Sequence, residues 1–185
     1  MTTVDRYVAC CREMGFVVAN RHQWDTIAGH DANVYSSSTN PSSTPFNTEQ
    51  AINYYVSNGA TASKINLGIP LYGRAFTNTD GPGTAYSGVG GGSWENGIWD
   101  YKVLPQAGAS VYELSNIMAS YSYDAAQRIM ISYDTPAVVQ MKGSYVVSKG
   151  LGGGMYWDSS SDRNDSSSLV TNVRKQNKNP QALQR

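Results

Sequence analysis

The run Ile65-Asn66-Leu67-Gly68-Ile69-Pro70 is short, almost continuously apolar and closed by a proline. A segment of this length and composition suits a buried parallel strand better than a helix. Just past it stand a phenol, a glycine and a guanidinium, in Tyr72, Gly73 and Arg74. Open α/β sheets and α/β barrels place their chemistry at the carboxyl ends of their strands. On the local pattern alone, a strand end carrying a surface Tyr and Arg is the simpler reading.

The neighbourhood of this strand has α/β grammar. Before it, Asn47 or Thr48 can cap a helix with Ala51, Ile52, Tyr55 and Val56 on one apolar face and Gly59 at its end. After a long interruption, Thr135 caps a second helix with Pro136 in its first turn. Val139, Lys142 and Val146 lie along that helix, and Gly150 follows it. A second buried strand is expected over Gly153 to Trp157, then a last helix from a Ser166–Ser168 cap through Leu169, Val170 and Val173. Within the interruption, glycines at 81, 83, 88 and 90–92 mark turns, and Tyr112 to Ala119 is expected to form a short helix. Tyr121–Asp124 and Arg128–Tyr133 read as two strands joined by a polar turn. Residues 31–47 are rich in Ser, Asn, Thr and Pro and read as a solvated connector. A short helix near Tyr7–Cys11 and a strand over Met14–Ala19 are expected upstream, and a polar, frayed tail over 176–185.

Composition narrows the function classes. The 185 residues carry formal net charge +0, so no electrostatic case exists for a nucleic acid or an anionic membrane. No run of about 18 apolar residues occurs, which leaves no candidate helical membrane span. Cys10 and Cys11 are adjacent, a spacing ill-suited to an ordinary disulfide, and no second pair completes a zinc site. His22 and His30 read as loop residues. No metal or cofactor is expected, and the glycines do not follow a strand-to-helix turn with phosphate-loop spacing. Thirteen Tyr and four Trp suit a carbohydrate binder, because sugars stack apolar faces on aromatic rings. Met1–Asp5 lacks the basic and apolar regions of a signal peptide.

Three motifs then carry a resemblance. Leu67-Gly68-Ile69-Pro70-Leu71-Tyr72-Gly73-Arg74 resembles the seventh barrel strand of glycoside hydrolase family 18, the chitinases. Gly90-Gly91-Gly92-Ser93-Trp94-Glu95-Asn96-Gly97 with Ile98-Trp99-Asp100-Tyr101 is similar to a segment of its fungal and bacterial-type members, and Gly152-Gly153-Gly154-Met155-Tyr156-Trp157 to its eighth strand. The likeness covers roughly Trp24 to Val173. It implies an α/β fold built as part of a TIM (β/α)8 barrel, over 1–74 and 134–175, with a small α+β insertion domain over 75–133. It implies chitin or chito-oligosaccharides as partner, β-1,4-linked N-acetylglucosamine as substrate, and a missing N-terminal barrel half as a possible second partner. It places residues 31–47 at the active-site side of the barrel, and many members are extracellular.

The resemblance also assigns residues. Trp157 would be the floor under the sugar at the cleavage subsite, or a core Trp at a strand end. Tyr72 would lie near the N-acetyl pocket. Arg74 can donate its planar fork to sugar or carboxylate oxygens. Glu95 would line the groove and pair with Arg74. Trp94, Trp99 and Met155 are expected as packing residues, and Tyr86 is left open. In the family the substrate's own N-acetyl oxygen attacks the anomeric carbon, and one Glu of an Asp-x-x-Asp-x-Asp-x-Glu motif is the general acid; this mechanism departs from the two-carboxylate scheme. That motif is absent from these 185 residues, and so is the Met-x-Tyr-Asp expected where Asn20-Arg21-His22-Gln23 stands. Asp124, Asp134, Asp158 and Asp162 stand at other places and offer no substitute acid. Three readings follow: the C-terminal part of a family 18 chitinase, a chitin-binding protein without catalysis, or a gene fragment without function of its own.

Overall fold

The computed structural model describes residues 15–17 and 26–174. Its strands are β1 Gly15–Val17, β2 Ile65–Pro70, β3 Tyr72–Thr77, β4 Ile98–Asp100, β5 Ser110–Leu114, β6 Ala119–Asp124, β7 Ile129–Ser132 and β8 Gly153–Trp157. Its helices are α1 Thr48–Ser57, α2 Pro136–Ser148 and α3 Leu169–Arg174. The expectations placed on Cys10, Cys11, His22, residues 20–23 and the tail fall outside the described residues.

The apolar run forms the middle of a three-stranded parallel sheet, in the order β1-β2-β8. Its residues are buried at nearly every position, which is why it reads as a continuous apolar run and not as an alternation. At Leu71 the pairing changes. Tyr72 starts a second, five-stranded antiparallel sheet in the order β4-β3-β7-β6-β5. Here burial alternates from Tyr72 to Ala75, and Phe76 is buried as well. Tyr72, Arg74 and Phe76 point to one face, and Gly73, Ala75 and Thr77 to the other. A Cβ on Gly73 would stand 2.7 Å from both Ile131 Cγ2 and Leu104 Cδ1, so only glycine lets these layers close. One core joins the two sheets and the helices, through Leu67, Ile69, Leu71, Ile131, Val139 and Leu169. Burying each such side chain contributes about 1.5–3 kcal/mol.

The helix signals hold in detail. The Asn47 side chain accepts from the Gln50 amide at 2.8 Å, and Gly59 follows α1 with φ +94°. Of the expected apolar face, Ala51 and Ile52 are buried, whereas Val56 is 43% exposed. Thr135 caps α2 by accepting from the Val138 amide, with Pro136 in the first turn. For α3 the expected serine cap forms, Ser168 Oγ accepting from the Thr171 amide at 3.1 Å, and the Asp162 carboxylate adds to it by accepting from the Leu169 and Val170 amides at 2.9 and 3.3 Å.

Two expectations are corrected. Tyr112 to Ala119 is not a helix but the end of β5, a turn and the start of β6. Val111 and Tyr112 favour the pleated surface, and Tyr112 stacks on Tyr121 across the strands, with centroids 4.9 Å apart and planes 15° apart. Residues 31–47 are not a solvated connector either. Asp31, Asn33, Val34, Ser37, Ser43 and Thr44 are buried. The loop answers its own backbone: Val34 and Tyr35 donate to the Ile117 carbonyl, and His30 to that of Ser43.

This loop is tied down by charges. Lys142 of α2 is 1% exposed, and its Nζ lies 2.6 Å from both Asp134 Oδ2 and the Ala32 carbonyl oxygen. Beside it, Asp31 is also buried, its amide donating to Ser132 Oγ at 3.0 Å. Arg74 Nε stands 3.1 Å from Asp31 Oδ1, an ion pair without the alignment of a full hydrogen bond. Burial pushes the Asp31 carboxyl up to about 7; Arg74 opposes this, Asp134 adds to it and Lys142 opposes it. Asp134 is raised as well, by burial against the pull of Lys142.

Removing one partner of a buried pair strands the other, so Lys142→Met is expected to cost about 3–5 kcal/mol in urea unfolding. The double change Lys142→Met with Asp134→Leu should recover much of that loss. The Asp31 carboxyl holds its proton in the folded state up to about pH 7 but releases it near its ordinary value of 3.8 when unfolded. Its contribution is therefore full below that lower value and is lost as pH rises through 7. Asp31→Asn should flatten the fall in stability between about pH 4 and 7, read from denaturant midpoints across that window; the raised Asp134 leaves a residual slope of the same sign.

Candidate active-site groove

The carboxyl ends of β2 and β8 lie side by side, with Pro70 paired to Trp157. A cavity of about 310 Å³ opens there, lined by Tyr72, Arg74, Trp94, Glu95, Ile98, Asp100, Trp157, Asp158 and Ser161. It brings together the four residues expected to bind substrate: Tyr72, Arg74, Glu95 and Trp157.

Each arrives by a different route. Tyr72 and Arg74 share one face of β3, and the guanidinium carbon lies 5.9 Å from the Tyr72 ring centroid. The far side of Arg74 is held by buried Asp31, not by Glu95 as expected from sequence. Asp31 is buried 3.1 Å from Arg74 Nε, whereas Glu95 stands in solvent. Glu95 sits on a tight turn in which Ser93 donates to the Ile98 carbonyl at 2.7 Å and Gly97 to that of Gly91 at 3.0 Å. That turn requires Gly97 at φ +82°, and a Cβ on Gly92 would meet the Glu95 carbonyl oxygen at 2.0 Å. Trp157 ends β8, lines the cavity and is 66% exposed in this chain.

Sequence reasoning missed the other five residues of this cavity: Trp94, Ile98, Asp100, Asp158 and Ser161. Trp94, expected to pack, is 77% exposed. Its indole N–H donates to Asp100 Oδ1 at 2.8 Å. Asp100 is buried; Ser161 Oγ donates to the same oxygen at 2.9 Å, and Lys102 Nζ lies 3.1 Å from the other. Asp158 faces the cavity and is held below the usual carboxylate range, mainly by the Ser160 hydroxyl at 2.6 Å, with Ser161 helping and burial opposing. Trp99 does pack, against the main core. No local sequence signal separates Trp94 from Trp99. The strand alternation does, since Ile98 and Asp100 share the cavity face and Trp99 takes the other.

The four aspartates set aside in the sequence all have structural partners. Asp134 pairs with Lys142, Asp162 caps α3, Asp158 holds the turn at Ser160, and Asp124 accepts from the amides of Ala126 and Gln127. The carboxyls shifted toward neutrality, Asp31 and Asp134, are buried and do not line the cavity. Among the described residues no cluster of His, Cys, Asp and Glu could hold a metal ion.

Comparison with known proteins places this arrangement. The profile of "Glycosyl hydrolases family 18" matches residues 8–162, so the likeness reaches well upstream of Trp24. Chitinase 1 of Aphanocladium album is 49% identical over 148 residues, covering 80% of this chain and 35% of that protein. Endochitinase 1 of Metarhizium robertsii is 51% identical over 147 residues, with the same shares. The catalytic domain of a psychrophilic chitinase B from Arthrobacter superposes with TM-score 0.71 at 32% identity, over 82% of this chain and 34% of that one. A class V chitinase from Nicotiana tobaccum, solved in complex with NAG4, shares the fold at TM-score 0.70 and 23% identity, over 83% and 44%. The chain thus spans about a third of the length of its fungal relatives. On its sequence and on the TIM-barrel-type fold of its structural neighbours, it belongs to glycosyl hydrolase family 18.

Proposed function

We propose that this chain forms the C-terminal wall of a chitin-binding groove. The corresponding whole protein would hydrolyse β-1,4 linkages between N-acetylglucosamine units by the substrate-assisted, retaining route. In this reading β1, β2 and β8 are the sixth, seventh and eighth strands of a barrel. The antiparallel sheet, whose first strand β3 runs across the boundary expected between 74 and 75, would carry the inserted domain that walls the groove. The right-handed βαβ logic of such barrels fits the parallel register of β2 with β8 and the return through α2. Among the described residues β8 has no partner on its outer side, which is where a barrel's first strand would pair.

The observation that carries the reading is the convergence of Tyr72, Arg74, Glu95 and Trp157 on one cavity at the strand carboxyl ends. Trp157 offers a flat, exposed indole to an apolar sugar face. Arg74, aimed by Asp31 and leaning on Tyr72, offers its remaining N–H donors to sugar oxygens.

The general acid is a separate matter. A group that protonates a leaving oxygen must itself be protonated at working pH. Asp158, in the cavity, is biased toward its ionised form, and the carboxyls biased toward neutrality are sealed away. This favours, for the chain on its own, binding without turnover, which is also what a chitin-binding protein without catalysis would show.

Two expected outcomes follow. Calorimetry with chitotetraose should give saturable binding to the chain, weakened at least about tenfold by Trp157→Ala, a loss of about 1.4 kcal/mol or more. A fluorogenic chitotriose substrate should not be turned over. Turnover abolished by Glu95→Gln would mean that the acid lies within this cavity.

A further inference from the structure

A strand presents alternate side chains to opposite faces of its sheet, and the groove uses only one face of the antiparallel sheet. Arg74 and Ile98 line the groove. The next residue along each strand, Ala75 on β3 and Trp99 on β4, lines a second cavity of about 390 Å³ on the other face. Its volume is that of a small-molecule site. Ala75, Ile129 and Ile131 make its floor apolar, and Trp99 adds an indole. Two segments wall it, the loop carrying Gly90 and Gly91 and the turn carrying Gln106, Ala107 and Ala109. The loop can lie this close because Gly90, at φ +70°, has no Cβ to stand 3.0 Å from Thr77 Cγ2.

One carboxylate belongs to this cavity. Asp124, at the end of β6, lines it and is 8% exposed. Its Oδ1 accepts from the amides of Ala126 and Gln127 at 2.9 and 3.0 Å, and its Oδ2 from Gln127 Nε2 at 2.7 Å. These bonds hold it below the usual carboxylate range, those from Gln127 most, with burial opposing and Ala126 helping. All three donors are neutral. The cations near it in sequence are committed elsewhere, Arg128 to Asp80 at 2.9 Å and Lys102 to Asp100 at 3.1 Å. Among the described residues no ion pair includes Asp124. A carboxylate enclosed to this degree is ordinarily matched by a cation. Nor does the turn between β6 and β7 call for the charge, since an asparagine oxygen would accept the same two amides.

We propose that this cavity is a second ligand site, separate from the groove, for a small organic ammonium ion with a compact apolar body. The ammonium donates to Asp124, which keeps acceptor capacity beyond its three bonds. The apolar body lies on Ala75, Ile129 and Ile131, and the Trp99 indole favours a cation over a neutral molecule. A cavity walled by two loops takes a free small molecule rather than the surface of a folded partner. The inference does not depend on what the groove binds.

The test is an amide NMR titration of the isotope-labelled chain, at constant ionic strength, with benzylammonium, benzyl alcohol and benzoate. Benzylammonium should give saturable shifts at the amides of Ala75, Gly91, Trp99 and Ala109 and leave those of Glu95 and Trp157 in the groove unmoved. It should bind at least about fivefold more tightly than benzyl alcohol, which has the same shape without the charge, and benzoate should not bind. Asp124→Asn should bring the amine and the alcohol within about twofold of each other while circular dichroism shows a folded chain. Ala107→Phe, at an exposed position of the turn, should fill the cavity from its rim and remove the benzylammonium shifts. That variant keeps the test decisive should Asp124→Asn fail to fold. No benzylammonium shifts in the parent, equal affinity for amine and alcohol, tighter binding of benzoate, or an amine preference undiminished in Asp124→Asn would each overturn the inference. So would shifts that grow without saturation around exposed carboxylates such as Asp80 and Asp165.

Discussion

A buried ammonium holds this structure together. Lys142 reaches from α2 into a space with no water and is met there by Asp134, from the end of β7, and by the carbonyl of Ala32, from the loop before α1. Each partner comes from a different segment. None could keep its polar group buried without the others, because an unpaired charge in an apolar interior is far too costly. Asp31 extends the same cluster to Ser132 on β7 and to Arg74 on β3. The cluster thus pins one loop, one helix and two strands of the antiparallel sheet to a common point. Arg74 is where this interior arrangement surfaces into the cavity.

That dependence explains why the cavity has a defined shape although its lining comes from distant stretches of chain. Tyr72 and Arg74 follow directly from β2. Trp94 and Glu95 sit on a glycine-dependent turn more than twenty residues later, and Trp157 lies on a strand that returns only after the whole antiparallel sheet and α2. The parallel register of β2 and β8 aligns the first and last of these, and the pairing of β3 with β4 brings in the turn. The buried cluster of Lys142, Asp134 and Asp31 ties the loop before α1 to α2 and to the antiparallel sheet. The site is the meeting point of two sheets, and its aromatic surfaces face outward from a rigid frame.

Much of this was legible in the residues. The apolar run gave β2, the Thr135-Pro136 pair gave the start of α2, and the strand-end residues Tyr72, Arg74 and Trp157 did converge with Glu95. What was not legible depended on contacts distant in sequence. Lys142 looked like any helix lysine, since nothing near it announces that Asp134 and Ala32 enclose it. Asp31 lay in a polar stretch whose composition suggested solvent, but whose backbone is bonded inward to Ile117. Tyr112 to Ala119 reads as a helix in isolation, because the stacking of Tyr112 on Tyr121, which favours the hairpin, links two strands rather than two turns of a helix. Trp94 and Trp99 are indistinguishable until β4 assigns them to different surroundings.

The most direct test of this account is native-state hydrogen exchange on the chain. The informative amides are Asp31, which donates to Ser132, and Val34, which donates to Ile117, set against amides of β2 and β7. If the buried charges make loop, sheet and helix one cooperative unit, these amides should exchange only with the global opening that releases β2. In Lys142→Met they should lose protection first and together. Exchange of Asp31 and Val34 in an independent, lower-energy opening of the unaltered chain, with β7 and α2 still protected, would contradict it.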